Sequence, residues 1–412
     1  MAEPLVVLIA ARDEEARIGQ TVEALRAAFP EAEIVVADDG SRDSTAAAAR
    51  RAGARVVRLP RLGKGQALTL AEREAPSGAL LLCDADLEGD LAPLLDGADL
   101  SIAAFAERQG GGFGIAKRAA RALVRKLSGF EAREPLSGQR ALSPAAREAC
   151  FPLAPGFGCE VRMTIDAVRA GLNVEERELP LRHRATGRDA GGFAHRGRQL
   201  LDVLLACGPT AINHRGLRLP LVGALVALGG GKAPARVRAG VAAIALLGLA
   251  DDLWSGPERG FRAHVAKGSS TGVAKAVGIP LVALATTRSL RKATLVALAA
   301  NVLNQLDTRP GRALKAFLAG AALVRGPAKS YAPIAVLLAP YDLGEMTMLG
   351  DAGANALGAV LGFGSVGKLT ARGQLFAIAA LAGLTAAGEA RSLGQLIERT
   401  PVLSRLDRLG RP

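Results

Sequence analysis

Hydrophobic residues fall in two rhythms along this chain. Up to about residue 208 they come as short runs separated by stretches of mixed polarity, and the runs end in charged or turn-forming residues. Leu5–Ala11 is followed by Arg12, Asp13, Glu14 and Glu15, then by a helical pattern reaching about Ala28. The run opening at Glu33 ends in Asp38, Asp39, Gly40 and Ser41, a tight turn, with Asp43 or Ser44 as N-cap of the next helix. Residues 54–59 lead to Gly63-Lys64-Gly65, and the run from Ala79 ends in Cys83, Asp84, Ala85 and Asp86. Short apolar runs alternating with helical segments predict β-α units and a mostly parallel sheet.

Beyond residue 208 the pattern changes to blocks rich in Ala, Leu, Gly and Val, at residues 217–231, 237–250, 272–287, 293–306, 313–324, 331–341, 352–367 and 373–388. They predict an all-α, multi-pass transmembrane domain over residues 217–390, after a first domain at 1–208 and a linker at 209–216, with a charged tail at 391–412. Each block is shorter than the roughly 20 residues that span a bilayer comfortably. The chain is also only 3% aromatic, which leaves little for an interfacial belt, so a soluble Ala-rich bundle is the competing reading. Acids within apolar blocks are costly and tend to mark function. Asp251 and Asp252 end one block, Asn301, Asn304 and Asp307 end another on one helix face, and Asp351 opens a third. With one crossing per block, Asp251, Asp307 and Asp351 all fall on the side of the amino-terminal domain.

Ligands of open α/β sheets bind outside the carboxyl ends of the strands. Asp84 and Asp86, one residue apart at such an end, can hold a divalent cation together with a ribose, and Lys64 on its glycine-flanked loop can meet a phosphate. Any one of these charged turns is ordinary solvated surface; four in a repeated β-α pattern point to a site. Arg182, Arg184 and Arg188 can grip phosphate through guanidinium forks, or equally face anionic lipid.

Taken in order, the stretches AARDEE, VVADDGSRDST, GKGQAL, LLLCDAD and PLSGQRAL resemble the family 2 glycosyltransferases of GT-A fold, including those that make polyprenyl-phosphate sugars. The resemblance spans roughly residues 4–206 and implies a Rossmann-like α/β domain. It implies that Glu14 and Asp39 hold base and ribose with Asp38 close by, that Asp84 and Asp86 hold Mg2+ or Mn2+ and the diphosphate, and that Lys64 lies near the phosphates. Residues 156–160 look like the family's acceptor-side loop, which makes Glu160 the acceptor contact or general base. Arg140 is placed with Arg182, Arg184 and Arg188 on the phosphate and acceptor side. His183 is similar to a late histidine that closes the metal site in some relatives. Asp13 stands where the family usually has asparagine, a departure that bears on base recognition.

The polar stations of the second half, ADD at 250–252, NVLNQLD at 301–307 and GDAGANALG at 350–358, resemble the polyprenyl-phosphate N-acetylhexosamine-1-phosphate transferases. That resemblance implies a cytosol-facing cleft in which Asp251, Asp252 and Asp351 hold magnesium, Asp307 and Asp351 serve catalysis, and Asn304 contacts the lipid phosphate. The sequence departs from that family at Thr308 and Ala354 and lacks its late histidine-rich loop.

At 412 residues the chain accommodates two domains, and its formal charge of +13 suits an anionic partner. Lipid headgroups and phosphates fit better than nucleic acid, since no base-stacking aromatics accompany the basic runs. Four cysteines without CxxC spacing suit a reducing cytosol, and Glu3 followed by a short apolar run reads as no signal peptide. The sequence thus predicts a multi-pass cell-membrane glycosyltransferase with its catalytic domain in the cytoplasm. It would move a sugar from a nucleotide-sugar donor to a polyprenyl-phosphate or polyprenyl-linked acceptor, with sugar-1-phosphate transfer as a second activity if both halves work. The alternatives are a non-catalytic nucleotide-sugar-binding scaffold, and an active first domain on an inert anchor. A sugar nucleotidyltransferase needs a glycine- and arginine-rich loop after its first strand, which residues 10–13 do not supply.

Overall fold

The computed structural model describes residues 4–87, 89–105, 114–181, 190–254, 270–324 and 326–410. The chain forms two compact units that divide between Leu219 and Pro220. In the first, strands β1 (Leu5–Ala11), β2 (Glu33–Asp39), β3 (Arg55–Leu59), β4 (Ala79–Asp84), β5 (Leu100–Phe105), β6 (Arg140–Leu142) and β7 (Val174–Leu179) make one sheet of order β3-β2-β1-β4-β6-β5-β7. All neighbours run parallel except β6, which is antiparallel to both β4 and β5.

The central strands β1, β2 and β4 are buried on both faces, which is why they read as continuous apolar runs. Val7, Ile9 and Ala11 of β1 pack with Ile18, Val22 and Leu25 of α1 (Ile18–Ala28) on one face. Val6 and Leu8 pack on the other face with Ala67, Leu68 and Ala71 of α3 (Lys64–Glu72) and Met163 and Ala167 of α6 (Cys159–Arg169). The remaining helices of this unit are α2 (Thr45–Arg51), α4 (Ile115–Ser128), α5 (Pro144–Cys150) and α7 (Ala190–Cys207). The parallel register sets Ala10 beside Ala37 and Asp84, and Ala11 beside Asp38. The loops that follow β1, β2 and β4 therefore open at the same end of the sheet.

The segment expected as a linker is instead a small hairpin of β8 (Thr210–Ile212) and β9 (Arg218–Pro220), closed by Asn213, whose Oδ1 accepts from the N–H groups of Arg215 and Leu217 at 2.9 Å each. The first apolar block, residues 217–231, is not a helix either. It supplies β9 and a 3₁₀ turn at Gly223–Leu228, an outcome that apolar composition alone does not discriminate from a helix.

The second unit is all-α: α8 (Ala235–Trp254), α9 (Ser270–Thr287), α10 (Leu290–Leu306), α11 (Arg312–Val324), α12 (Pro327–Leu343), α13 (Gly350–Lys368), α14 (Ala371–Ala390), α15 (Leu393–Arg399) and α16 (Pro401–Arg408). Helix α13 is buried along most of its length. Its glycines let neighbours approach: a Cβ on Gly358 would lie 2.5 Å from the carbonyl oxygen of Ala299, and one on Gly362 would lie 2.6 Å from Cα of Val296. The expected charged tail folds as α15 and α16 and is clamped to the bundle by a bidentate pair, Arg312 Nε and Nη2 donating to Asp407 at 2.9 and 2.8 Å. Among the described residues one helix, Ala371–Ala390, is both long and apolar enough to cross a membrane.

Candidate active site

The loops after β1 and β2 are knitted together through side chains that the sequence offers as acids and hydroxyls. The Asp13 N–H donates to Ser41 Oγ at 3.0 Å and the Arg42 N–H returns a bond to Asp13 Oδ1 at 2.8 Å. The Glu14 N–H donates to Thr45 Oγ1 at 2.8 Å, and the Ser44 N–H donates to Glu15 Oε2 at 3.0 Å. Asp13 holds a left-handed φ of 55°, a conformation Asp tolerates better than most residues. Glu14 keeps its carboxylate on the outside, paired with Arg17 at 3.0 Å.

Asp38 and Asp39 take a different place from the one expected. Asp38 is 1% exposed and accepts from the Ser41 N–H, so it shapes the turn and presents no free carboxylate to a base or ribose. Asp39 accepts from the N–H groups of Leu62 and Gly63 at 2.6 and 3.0 Å, which ties the loop before α3 to the end of β2. Burial lifts its pKa above the ordinary carboxylate value, although those N–H groups pull the other way. Its role here is to position the Gly63-Lys64 turn.

That turn delivers Lys64 to the centre of the site. Its ammonium lies 2.6 Å from Asp84 Oδ1 and 2.8 Å from Glu160 Oε1. Burial alone would depress the ammonium pKa; the Asp84 and Glu160 carboxylates overcome this and raise it well above the ordinary lysine value. Asp84 is held from the other side by Gln139, whose Nε2 donates to Oδ2 at 3.0 Å. Gly138 lies against the same pair so closely that a Cβ there would sit 2.5 Å from Asp84 Oδ2 and 2.6 Å from Lys64 Nζ. Gly138 and Gln139 lie in the PLSGQRAL stretch, but that motif by itself assigns neither of them a role; the loop that leads into β6 brings them there.

Two expected acceptor-side residues are turned inward. Glu160 is 4% exposed, ion-paired with Lys64, and accepts from Cys159 Sγ at 3.1 Å, so it is a counter-ion and not a base free to take a proton. Arg140 is fully buried and gives its Nε to the Ser137 carbonyl, Nη1 to Thr164 Oγ1 and Nη2 to the Pro135 carbonyl at 2.8, 2.9 and 3.1 Å. It shapes the PLSGQ loop and is not a phosphate contact; burial lowers its pKa from the usual guanidinium value. The acceptor-side loop at Gly156–Gly158 is steadied by Asp202 of α7, which accepts from the Phe157 N–H at 3.1 Å and leaves no room for a side chain on Gly156.

Asp86, half-buried, lines a cavity of about 350 Å³ with Arg17, Thr21, Phe29 and Leu91, while Asp84 looks toward Lys64. Among the described residues no trio of His, Cys, Asp and Glu encloses a metal unaided. Both oxygens of Asp84 are engaged, by Lys64 and Gln139, and Asp86 alone of the two lines the cavity, so a divalent cation shared between them would have to draw Asp84 off Lys64 and take the rest of its shell from diphosphate oxygens and water. His183, Arg182, Arg184 and Arg188 lie outside the described residues.

In the second unit Asp251, Asp252 and Asp351 lie around Lys275 and the start of α13, and Asp307 lies near enough to Asp342, Asp351 and Asp252 to feel their charge. Asn304, in the last turn of α10, gives its carbonyl oxygen to the Asp307 N–H. The carboxylates meet protein partners where a metal was expected: Asp252 accepts from the N–H groups of Asp351 and Ala352 at 2.9 and 3.0 Å, and Lys275 bridges Asp251 and Asp351.

A sheet with acids, a lysine and a glycine-rich turn at its carboxyl edges is the framework of a nucleotide-sugar-type transferase, and sequence comparison agrees. The profile described as Glycosyl transferase family 2 matches residues 6–96. The chain is 30% identical over 241 residues to the glucosyl-3-phosphoglycerate synthase of Mycolicibacterium paratuberculosis, a match covering 49% of this chain and 72% of that protein. The chain belongs to glycosyl transferase family 2, and its amino-terminal unit is a glycosyltransferase domain. Among solved structures it is similar to glucosyl-3-phosphoglycerate synthase from Mycobacterium tuberculosis with phosphoglyceric acid, at 27% identity and a TM-score of 0.42 over 50% of this chain and 80% of that one. The same enzyme with Mn2+, uridine diphosphate and phosphoglyceric acid matches at 28% identity and a TM-score of 0.42, over 50% and 79%.

Proposed function

We propose that the amino-terminal unit transfers a sugar from a nucleoside-diphosphate sugar to the phosphate oxygen of a polyprenyl phosphate at the cytoplasmic surface of a membrane. The observation that carries the acceptor class is the Lys64 bridge between Asp84 and Glu160, which leaves Glu160 ion-paired. A phosphate oxygen is already a nucleophile and needs no base. It would form the new bond to the anomeric carbon while the bond from that carbon to the diphosphate oxygen breaks, the electron pair leaving with the nucleoside diphosphate. Asp84 and Asp86 would hold Mg2+ or Mn2+, which supplies positive charge to the departing diphosphate. Lys64, preset beside Asp84, would orient the phosphates, and Gln139 and Gly138 keep Asp84 in place.

The placement at a bilayer is supported by α14, which is 20 residues long with a mean hydropathy of 1.2 and is 6% buried within the protein. Exposed apolar side chains add to it: Phe376 on α14 itself, and Leu246, Leu281 and Leu337 on α8, α9 and α12. In this reading the helical unit anchors the catalytic one; its own sugar-1-phosphate transfer would require the carboxylates that Lys275 and backbone N–H groups now engage.

A radiolabelled transfer assay tests the proposal. Asp86→Ala should lower transfer at least ~100-fold, on the scale of removing one electrostatic stabiliser of the transition state; unchanged transfer refutes the site. A second reading follows from the relative's name: a small phosphorylated acid such as 3-phosphoglycerate as acceptor. Parallel assays with 3-phosphoglycerate and with polyprenyl phosphate separate the two.

A further inference from the structure

The resemblance of the helical unit to metal-dependent transferases implies a divalent cation among Asp251, Asp252 and Asp351, and the geometry there answers differently. Lys275, on α9, sends its ammonium to 2.6 Å from Asp251 Oδ2 and into contact with Asp351 Oδ2. Both oxygens of Asp252 are taken by the N–H groups that open α13. The backbones around the knot are closed: a Cβ on Gly350 would lie 2.7 Å from Asp252 Oδ2, and one on Gly248 would lie 2.5 Å from the Asp351 carbonyl oxygen. Of the six oxygens of these three carboxylates, four meet the ammonium or the two N–H groups, and the ammonium stands between Asp251 and Asp351 where an ion shared by them would sit.

We infer that Lys275 is a tethered counter-ion that replaces the divalent cation in the helical unit. The charge that a metal would bring from solution is carried by α9 itself, so α8, α9 and α13 are joined at their acidic ends without an ion. A lysine is suited to this: its ammonium is a compact charge with three donors on a flexible stem, able to satisfy two carboxylates from different helices. The unit is then a folded anchor that needs no metal, and this holds whichever acceptor the amino-terminal unit uses.

The test uses the full chain carrying Asp84→Asn and Asp86→Asn, so that cation binding in the amino-terminal unit does not mask the readout. Titration with Mn2+, followed by the electron paramagnetic resonance signal of the free ion, should show no stoichiometric uptake by this protein. Adding Lys275→Met should create uptake of about one Mn2+ per chain. Uptake of about one Mn2+ with Lys275 present overturns the inference, and so does a folded Lys275→Met protein that takes up none. Should Lys275→Met fail to fold, thermal unfolding of the full chain with Lys275 intact decides. Equal midpoints in excess chelator and in millimolar Mg2+ are expected; a midpoint several degrees higher in Mg2+ overturns the assignment.

Discussion

Gly138 shows how little space separates the charged groups of the catalytic unit. A methyl group there meets the oxygens of Asp84 and the ammonium of Lys64 below 3 Å, so one partner has to move and the pair is disturbed. Gly138→Ala should therefore reduce transfer ~10-fold or more while leaving the unfolding midpoint within a few degrees, since the displaced atoms are side-chain ends and not core. Steady-state kinetics beside calorimetry checks this. Cys150 offers a pH-dependent prediction in the same unit. Burial pushes its thiol up to about 12, against an ordinary value of 9.0. Between those values the folded chain keeps a proton that the unfolded chain releases, so stability falls as pH rises, by on the order of 1.4 kcal/mol per pH unit for this thiol. Below about pH 9 both states hold the proton and the effect vanishes. Denaturant unfolding from pH 8 to 10.5 should show a shallower decline for Cys150→Ala than for the native chain.

Helices in the second unit cross where one of them has no side chain. Gly358 and Gly362 face the backbone of α10, whereas Gly367, near the end of the same helix, has nothing within 4 Å of a built Cβ. Gly362→Leu should destabilise the helical unit by at least ~1–3 kcal/mol, the usual scale of overpacking, and Gly367→Ala should be neutral or slightly stabilising. Thermal unfolding of the purified protein separates the two outcomes. At the same scale, β1, β2 and β4 were legible because each is an apolar run that leads into acids, and β3 because its apolar residues lead into the Gly63-Lys64-Gly65 turn. β5, β6 and β7 were not: β6 is three residues long and antiparallel, and β7 carries four acidic or basic residues in a row, Glu175 to Glu178. No periodic signal survives in strands that short or that polar.

For the whole molecule, the proposed bilayer placement makes a prediction that composition alone cannot. If α14 lies in lipid, the full chain should stay with the membrane fraction after alkaline carbonate washing, and release into the supernatant would count against that placement. Replacing Phe376 and Leu375, which are 78% and 56% exposed, by serine should weaken retention without touching the packed core.

The order of charged motifs along the chain determined the family and the catalytic strand ends, because parallel β-α units place successive loops at one edge of a sheet by geometry alone. The same order marked the acids of the helical unit through their spacing from apolar blocks. Tertiary structure alone decided which acids stay available and which are spent. Asp38, Asp39, Glu160 and Arg140 look like ligand contacts in sequence but are buried and bonded within the fold: Asp38 to Ser41, Asp39 to Leu62 and Gly63, Arg140 to Thr164, and Glu160 to Lys64. A carboxylate's role depends on whether an N–H or ammonium reaches it before a ligand does, and that is a matter of distances across the fold, which no local pattern encodes.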